Sequence, residues 1–196
     1  MEKINFIKTF IPQGDFREKY EHGGMMVRHL AAVLDEKMGA YECYECTVPI
    51  GEYDEGEIQK AFVDFSAKMD ALKLKQAKAD KISEITAYDT SSSVNGFMLN
   101  GLLVWLDKET RVGLMNSTTI AKAAGQKTTT LWLGGIKLVV DCDKAIQLLS
   151  ALEMYALECF NVTASHKQAV SELTTIEEVE AYDYKAGYPK MLSMSV

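Results

Sequence analysis

With 196 residues, 47% of them hydrophobic and 25% charged, the chain has material for one domain or two small ones and too much apolar content for wholesale disorder. A formal net charge of −7 argues against general nucleic-acid binding, which needs a concentrated basic surface to neutralise phosphates. No run approaches the length of a membrane span, and the start, MEKINFIKTF, carries charges where a signal peptide keeps an apolar core, so synthesis in a cytoplasm without membrane insertion is expected.

Residues 1–53 read as a small α+β unit. Lys3 to Ile11 alternates as a strand, with Ile4, Phe6 and either Ile7 or Phe10 seeking cover, and Pro12 and Gly14 end it. After Gly23-Gly24, the segment MMVRHLAAVLDEKMG repeats Met26, Leu30, Val33 or Leu34, and Met38 at helical spacing, with Gly39 as a stop. Tyr41 to Ile50 reads as a second strand. A strand–helix–strand of this size has a marginal core and needs something to pack on.

Cys43 and Cys46, within that second strand, form the one Cys-x-x-Cys of the chain. A structural zinc site would want a second pair, but Cys142 and Cys159 stand far apart in a helical pattern. A redox pair belongs at a helix N-terminus. Residues three apart on a strand point to opposite faces, so these two read as half-buried cysteines.

Residues 54–88 predict the longest charged helix. Ile58, Phe62, Phe65, Met69 and Leu72 follow the alternating four–three spacing of a heptad seam; beyond them Gln76, Ala79 and Ser83 take the seam positions and the pattern drifts. The seam is a candidate oligomerisation site, as a short coiled coil. The other reading is an amphipathic helix lying on its own domain. Lys68, Lys73, Lys75, Lys78 and Lys81, interleaved with Asp70 and Asp80, read as a solvated face.

The turn-like YDTSSS, Tyr88 to Ser93, marks the boundary before a C-terminal domain at 89–190. Asn100-Gly101 sits between apolar runs (Phe97, Leu99; Leu102, Val104, Leu106) and predicts a β-hairpin; Gly134-Gly135 predicts a second, from Thr128–Leu133 and Ile136–Val140. Between them Asn116 or Ser117 can cap a short helix that Gly125 stops. Asp141 or Asp143 caps a long helix whose stripe is Ile146, Leu149, Leu152, Ala156, Cys159 and Val162, widened by Leu148, Tyr155 and Val170. Trp105 and Trp132 are expected as its core partners against the hairpins. Thr175 to Glu178 fits a capping box for a last acidic helix, and residues 191–196 read as an extended tail. The expected fold class is therefore α+β: an N-terminal strand–helix–strand unit, a long charged helix, and a C-terminal domain of two β-hairpins packed on a long helix.

The inventory for catalysis is thin. His22, His29 and His166 have no metal-ligand spacing, and Ser165 beside His166 points elsewhere on a helix. Gly134-Gly135 leads into a strand and so lacks the donors of a phosphate-binding helix start. Glu172, Glu177, Glu178, Glu180 and Asp183 read as a solvated acidic face without a calcium-loop pattern. No catalytic, cofactor or metal residue is singled out, and no cofactor is expected.

Three stretches, GLLVWLDKETRVGL, TTTLWLGGIKLVVD and LLSALEMYALECFNVTASHKQAVSELTTIEEVEAYDYKAGYP, resemble an uncharacterised domain family of phage and prophage proteins, often found in tail-fibre or fibre-assembly regions. The resemblance covers roughly residues 78–190. Its most specific parts are Tyr155-Ala156 and Cys159, the step Thr163 to Lys167, Tyr182-Asp183-Tyr184, and Gly187-Tyr188-Pro189. It defines no catalytic residues. It implies a non-enzymatic bacteriophage structural protein, a virion component of head- or tail-fibre type made and assembled in the host cytoplasm. The N-terminal unit would attach it, and its partners would be itself, as a homo-oligomer of trimeric form, and other virion proteins. The alternatives are a tail-fibre assembly chaperone that leaves before the particle is complete, and a small cytoplasmic metal or redox module built on Cys43 and Cys46.

Overall fold

A computed structural model describes residues 4, 6–11, 16–19, 24–35, 40–49 and 51–196. The chain divides into two compact units, Met1–Lys75 and Gln76–Val196. The expected α+β class holds. The division falls inside the long charged helix, upstream of Tyr88–Ser93.

In the first unit, β1 (Ile7–Ile11), β2 (Phe16–Lys19), β3 (Gly24–Asp35) and β4 (Ala40–Pro49) form an antiparallel sheet of order β1-β4-β3-β2. The segment expected to be helical is β3, and this corrects the strand–helix–strand reading. Met26, Leu30, Val33 and Leu34 lie on a strand paired on both sides, with β2 and with β4. Leu, Ala and Met favour helices by a few tenths of a kcal/mol per residue, which two ladders of backbone hydrogen bonds and the burial of Val27 outweigh. Register shifts at Leu30/Ala32 and Val33/Asp35 break strict alternation, which is why a period of two was hard to see. Pro12, Gly14, His22, Gly23, Met38, Gly39 and Ile50 lie outside the described residues.

Helix α1 (Glu55–Asp89) starts on a reciprocal cap: Glu57 N–H donates to Asp54 Oδ1 (2.8 Å) and Asp54 N–H to Glu57 Oε2 (3.0 Å). Ile58 is fully buried with Phe6, Val27, Tyr44, Cys46 and Val48, and Phe62, Phe65 and Met69 pack against that cluster. Phe65 meets the Tyr44 ring at 5.0 Å and near-perpendicular planes, a favoured aromatic geometry. The even-numbered residues of β4, Glu42 to Val48, thus carry this core.

In the second unit the turn after α1 leads through α2 (Ser92–Asn95) into β5 (Phe97–Leu99) and β6 (Leu102–Val104). Asn100 (φ 50°) and Gly101 (φ 82°) are both left-handed, as a two-residue type I′ hairpin requires. The second hairpin, β7 (Thr128–Leu133) and β8 (Ile136–Asp141), turns in the same way on Gly134 and Gly135. A Cβ on Gly134 would stand 3.0 Å from Val104 Cγ1, so glycine also permits close packing there. Helix α4 (Cys142–Glu172) is capped by Asp141, whose carboxylate accepts from Asp143 N–H. It buries Cys142, Ala145, Leu148, Leu149, Leu152, Tyr155, Ala156, Cys159, Thr163 and Val170 along one face. Phe97, Leu99, Val104, Leu106, Leu131 and Leu133 complete the core with it. α5 (Ile176–Ala181) carries the expected capping box between Thr175 and Glu178. Ser193–Met194 is a ninth strand, β9, parallel to β5, so the tail belongs to the sheet.

Two expectations are corrected here. Trp105 and Trp132 are 40% and 58% exposed. Val104 and Leu106, and Leu131 and Leu133, take the inward positions, and alternation turns each tryptophan outward. The helix expected to begin at Asn116 or Ser117 is α3 (Lys108–Ala123), a longer element capped by Asp107, whose oxygens accept from Thr110 N–H at 2.7 Å and Thr110 Oγ–H at 2.8 Å. Gly113 in its interior and the β-branched pair Thr118-Thr119 had masked its length.

Candidate functional site

The second unit carries an open groove of about 810 Å³, within the size range of small-molecule sites. Its floor comes from α4 through Glu153, Ala156, Leu157 and Phe160; the β6–α3 connection supplies Trp105 to Lys108. Capping of α3 by Asp107 places Arg111 one turn on, at the groove wall. The Arg111 guanidinium is buried and donates from Nε to Glu153 Oε1 (2.9 Å) and from Nη1 to the Leu106 carbonyl (2.8 Å). A buried guanidinium is tolerated only with such partners. Trp105, Leu157 and Phe160 remain 40%, 49% and 58% exposed around it.

The acidic groups that line the groove are engaged within the unit. Asp107 is committed to capping α3, which holds its carboxyl below the ordinary range. Asp89 accepts the Thr163 hydroxyl proton at 2.8 Å, and Glu153 answers Arg111. No nucleophile in hydrogen-bond reach of a base lines the groove among the described residues.

Beside the groove, the residues that carry the resemblance converge on a structural joint. The Tyr155 hydroxyl donates to the Val94 carbonyl (2.6 Å), and the Cys159 thiol approaches the same oxygen at 3.6 Å. Burial pushes Tyr155 up to about 12 and raises the Cys159 thiol, so both stay protonated at neutral pH. The Thr163 and Tyr188 oxygens lie 2.9 Å apart. His166 Nε2 faces the Ala186 carbonyl at 2.9 Å and must donate; Nδ1, 2.8 Å from the Tyr182 hydroxyl, then accepts in the neutral ring. The Tyr88 ring packs edge-on against Tyr184 and Tyr188. Tyr155 and Cys159 thus tie α4 to α2, while Thr163, His166 and Tyr88 tie the stretch 182–188 to α4 and to the end of α1.

Two of the lysines read as a solvated face act in the same joint. Lys78 Nζ donates to the Ser171 carbonyl (2.8 Å) and Lys81 Nζ to the Glu180 carbonyl (3.4 Å). Both oxygens lie in the last turns of helices α4 and α5, where unsatisfied carbonyls and the helix dipole favour a cation. Sequence reasoning missed these tethers because their ends lie more than ninety residues apart.

The sequence-derived seam residues lie in the other unit. Ile58, Phe62, Phe65 and Met69 are brought together on the sheet of their own chain, as an amphipathic helix on its own domain does, while Leu72 is 50% exposed. Lys73 continues that contact: with Lys8 it holds the buried Glu42 carboxylate, each at 2.9 Å. Burial alone would raise Glu42, but the two lysines outweigh it and hold its carboxyl below the ordinary range. Cys43 and Cys46 are both buried, three residues apart on β4 and therefore on opposite faces. Burial and the Glu45 carboxylate push the Cys46 thiol up to about 11. Among the described residues, no group of three His, Cys, Asp or Glu is placed to share a metal ion, and no helix is long and apolar enough to cross a membrane. The side chain of His29 is not described, and the acids Glu172, Glu177, Glu180 and Asp183 are exposed.

Residues 76–186 match the model of DUF4376, a domain of unknown function. The chain belongs to the DUF4376 family. The matched segment begins where the second compact unit begins and takes in the lysine tethers, both hairpins and the tyrosine joint except Tyr188. No curated protein and no solved structure matches the chain.

Proposed function

We propose that this DUF4376 protein is a non-enzymatic structural component of a bacteriophage particle, of head- or tail-fibre type. In this reading the N-terminal unit attaches to the particle and the C-terminal unit contacts another virion protein. One observation carries the non-enzymatic part. The polar groups of the C-terminal unit that could do chemistry (His166, Cys159, Tyr155, Asp89) are spent on internal bonds, while Trp105, Leu157 and Phe160 stand exposed around a groove. Exposed aromatic and aliphatic side chains around a concavity suit docking to another protein. The phage part rests on the likeness of the sequence words to proteins of phage and prophage tail-fibre regions.

A component of this kind associates with itself, a homotrimer being the expected form because fibres use closed cyclic symmetry. Ile58, Phe62, Phe65 and Met69 pack on their own sheet, the last three only partly buried. The test is mass spectrometry of purified particles. The reading expects the chain in the virion at a fixed ratio to the other virion proteins. A chain abundant in the lysate yet absent from particles overturns it and makes the protein an assembly chaperone.

A further inference from the structure

We infer that the outer edge of β5 is a strand-acceptor site that takes the segment 192–196 from a second copy of this chain, building an oligomer by strand exchange. The inference stands apart from the phage reading and does not depend on it.

The segment sits on β5 as a bound peptide does on a sheet edge. Met98 N–H donates to the Leu192 carbonyl (2.8 Å) and Asn100 N–H to the Met194 carbonyl (2.9 Å), in parallel register with Met98 opposite Ser193. Leu192 and Met194 pack against the core while Met191 stays exposed. Backbone bonds for affinity and alternate side chains for selection are the marks of strand addition.

Asn100 adds a feature that a bare hairpin does not require. It is the one non-glycine residue with positive φ among those described, at a turn position where glycine would serve equally. Its side-chain Oδ1 accepts the Val196 N–H at 3.0 Å while its own N–H holds Met194. One turn residue therefore grips the incoming strand at two points.

The connection favours exchange. Tyr188 is anchored through its hydroxyl to Thr163, and Leu192 begins the contact with β5. Only Pro189, Lys190 and Met191 lie between, a span of about 10 Å when extended. A short connection beside a strand held by few backbone bonds lets that strand leave its own sheet and reach the same edge of a second copy. The exchanged form remakes every contact of the closed one, so concentration decides between them. Leu102 and Leu103 on β6, and Met191 and Val196 beside β9, are 58%, 57%, 42% and 54% exposed. The same three-stranded sheet thus carries apolar surface for a neighbouring copy to cover.

Disulfide trapping in the full-length chain tests this. Met98→Cys and Ser193→Cys place thiols at partnered positions, one half-buried and one exposed, so neither substitution removes a core side chain. The two single variants are mixed, concentrated and oxidised, and the joined peptides are identified by mass spectrometry. The expected result is a 98–193 crosslink between two chains, doubling the mass on a non-reducing gel, with a yield that rises with concentration. The double variant should close within one chain when dilute and between chains when concentrated. A double variant that closes only within one chain at every concentration, with no crosslink in the mixture, overturns exchange. Failure of the double variant to crosslink at all overturns the acceptor edge itself.

Discussion

Two long helices of this protein are built to opposite plans. Helix α4 buries residues along its whole length, from Cys142 to Val170, in one core. Helix α1 is longer but has only two fully buried residues, Ile58 and Ile85, one in each compact unit. Between them it holds on by edges: Phe62, Phe65 and Met69 half-covered by the sheet, Lys73 on Glu42, then Lys78 and Lys81 on the ends of α4 and α5. A helix can therefore be long because it is a core element, or because two units each need one end of it. The second plan calls for charge and helix propensity in mid-helix rather than a continuous apolar stripe.

That contrast can be broken by substitution. Leu149→Ala in α4 removes a side chain 1% exposed and should cost about 2–5 kcal/mol, lowering the melting of the C-terminal unit. Ile58→Ala should produce a loss of that order in the N-terminal unit. Calorimetry of both variants that showed the two changes moving one shared transition equally would argue that the units are not separately organised. A smaller effect is expected for Tyr155→Phe, about 1 kcal/mol, because the Val94 carbonyl loses its main donor.

The N-terminal unit should also have an acid limit of its own. Glu42 is held below its ordinary value by Lys8 and Lys73. The folded state therefore resists protonation more than the unfolded chain does. Its contribution is present above the ordinary carboxylate value near 4.5 and is lost as pH falls through the lower, folded value. Thermal melts from pH 6 down to pH 3 should show this unit weakening first, and Glu42→Gln should flatten that limb. If the variant keeps the wild-type acid slope, the ion pairs do not hold β4 to α1. The smallest change belongs to Leu72→Ala, within about 0.5 kcal/mol of zero, because that side chain is half exposed.

Much of the C-terminal unit was legible because its signals are local. Asn100-Gly101 and Gly134-Gly135 demand left-handed turns, Asp141 and Thr175 are caps, and the α4 stripe repeats for many turns. β3 was not legible: Met, Leu and Ala dominate it and favour a helix, and pairing with β2 and β4 makes it a strand. The start of α3 hid behind Gly113, and the tryptophans were misplaced because register, not size, decides which side chain faces inward. The groove draws on Asn95, Trp105, Arg111 and Phe160, which no spacing in the sequence connects. The heptad pattern of Ile58 to Leu72 was visible, but a seam that packs on a sheet and one that packs on another helix use the same residues.

Hydrogen–deuterium exchange along α1 in the purified chain tests the account most directly. Protection should be high around Ile58 and Ile85 and fall between them, near residues 74–79, while α4 stays protected from Leu148 to Val170. Even protection through the middle of α1, deepening with concentration, would mean that a second chain covers that stretch. It would contradict the reading of α1 as one helix whose two ends serve two units.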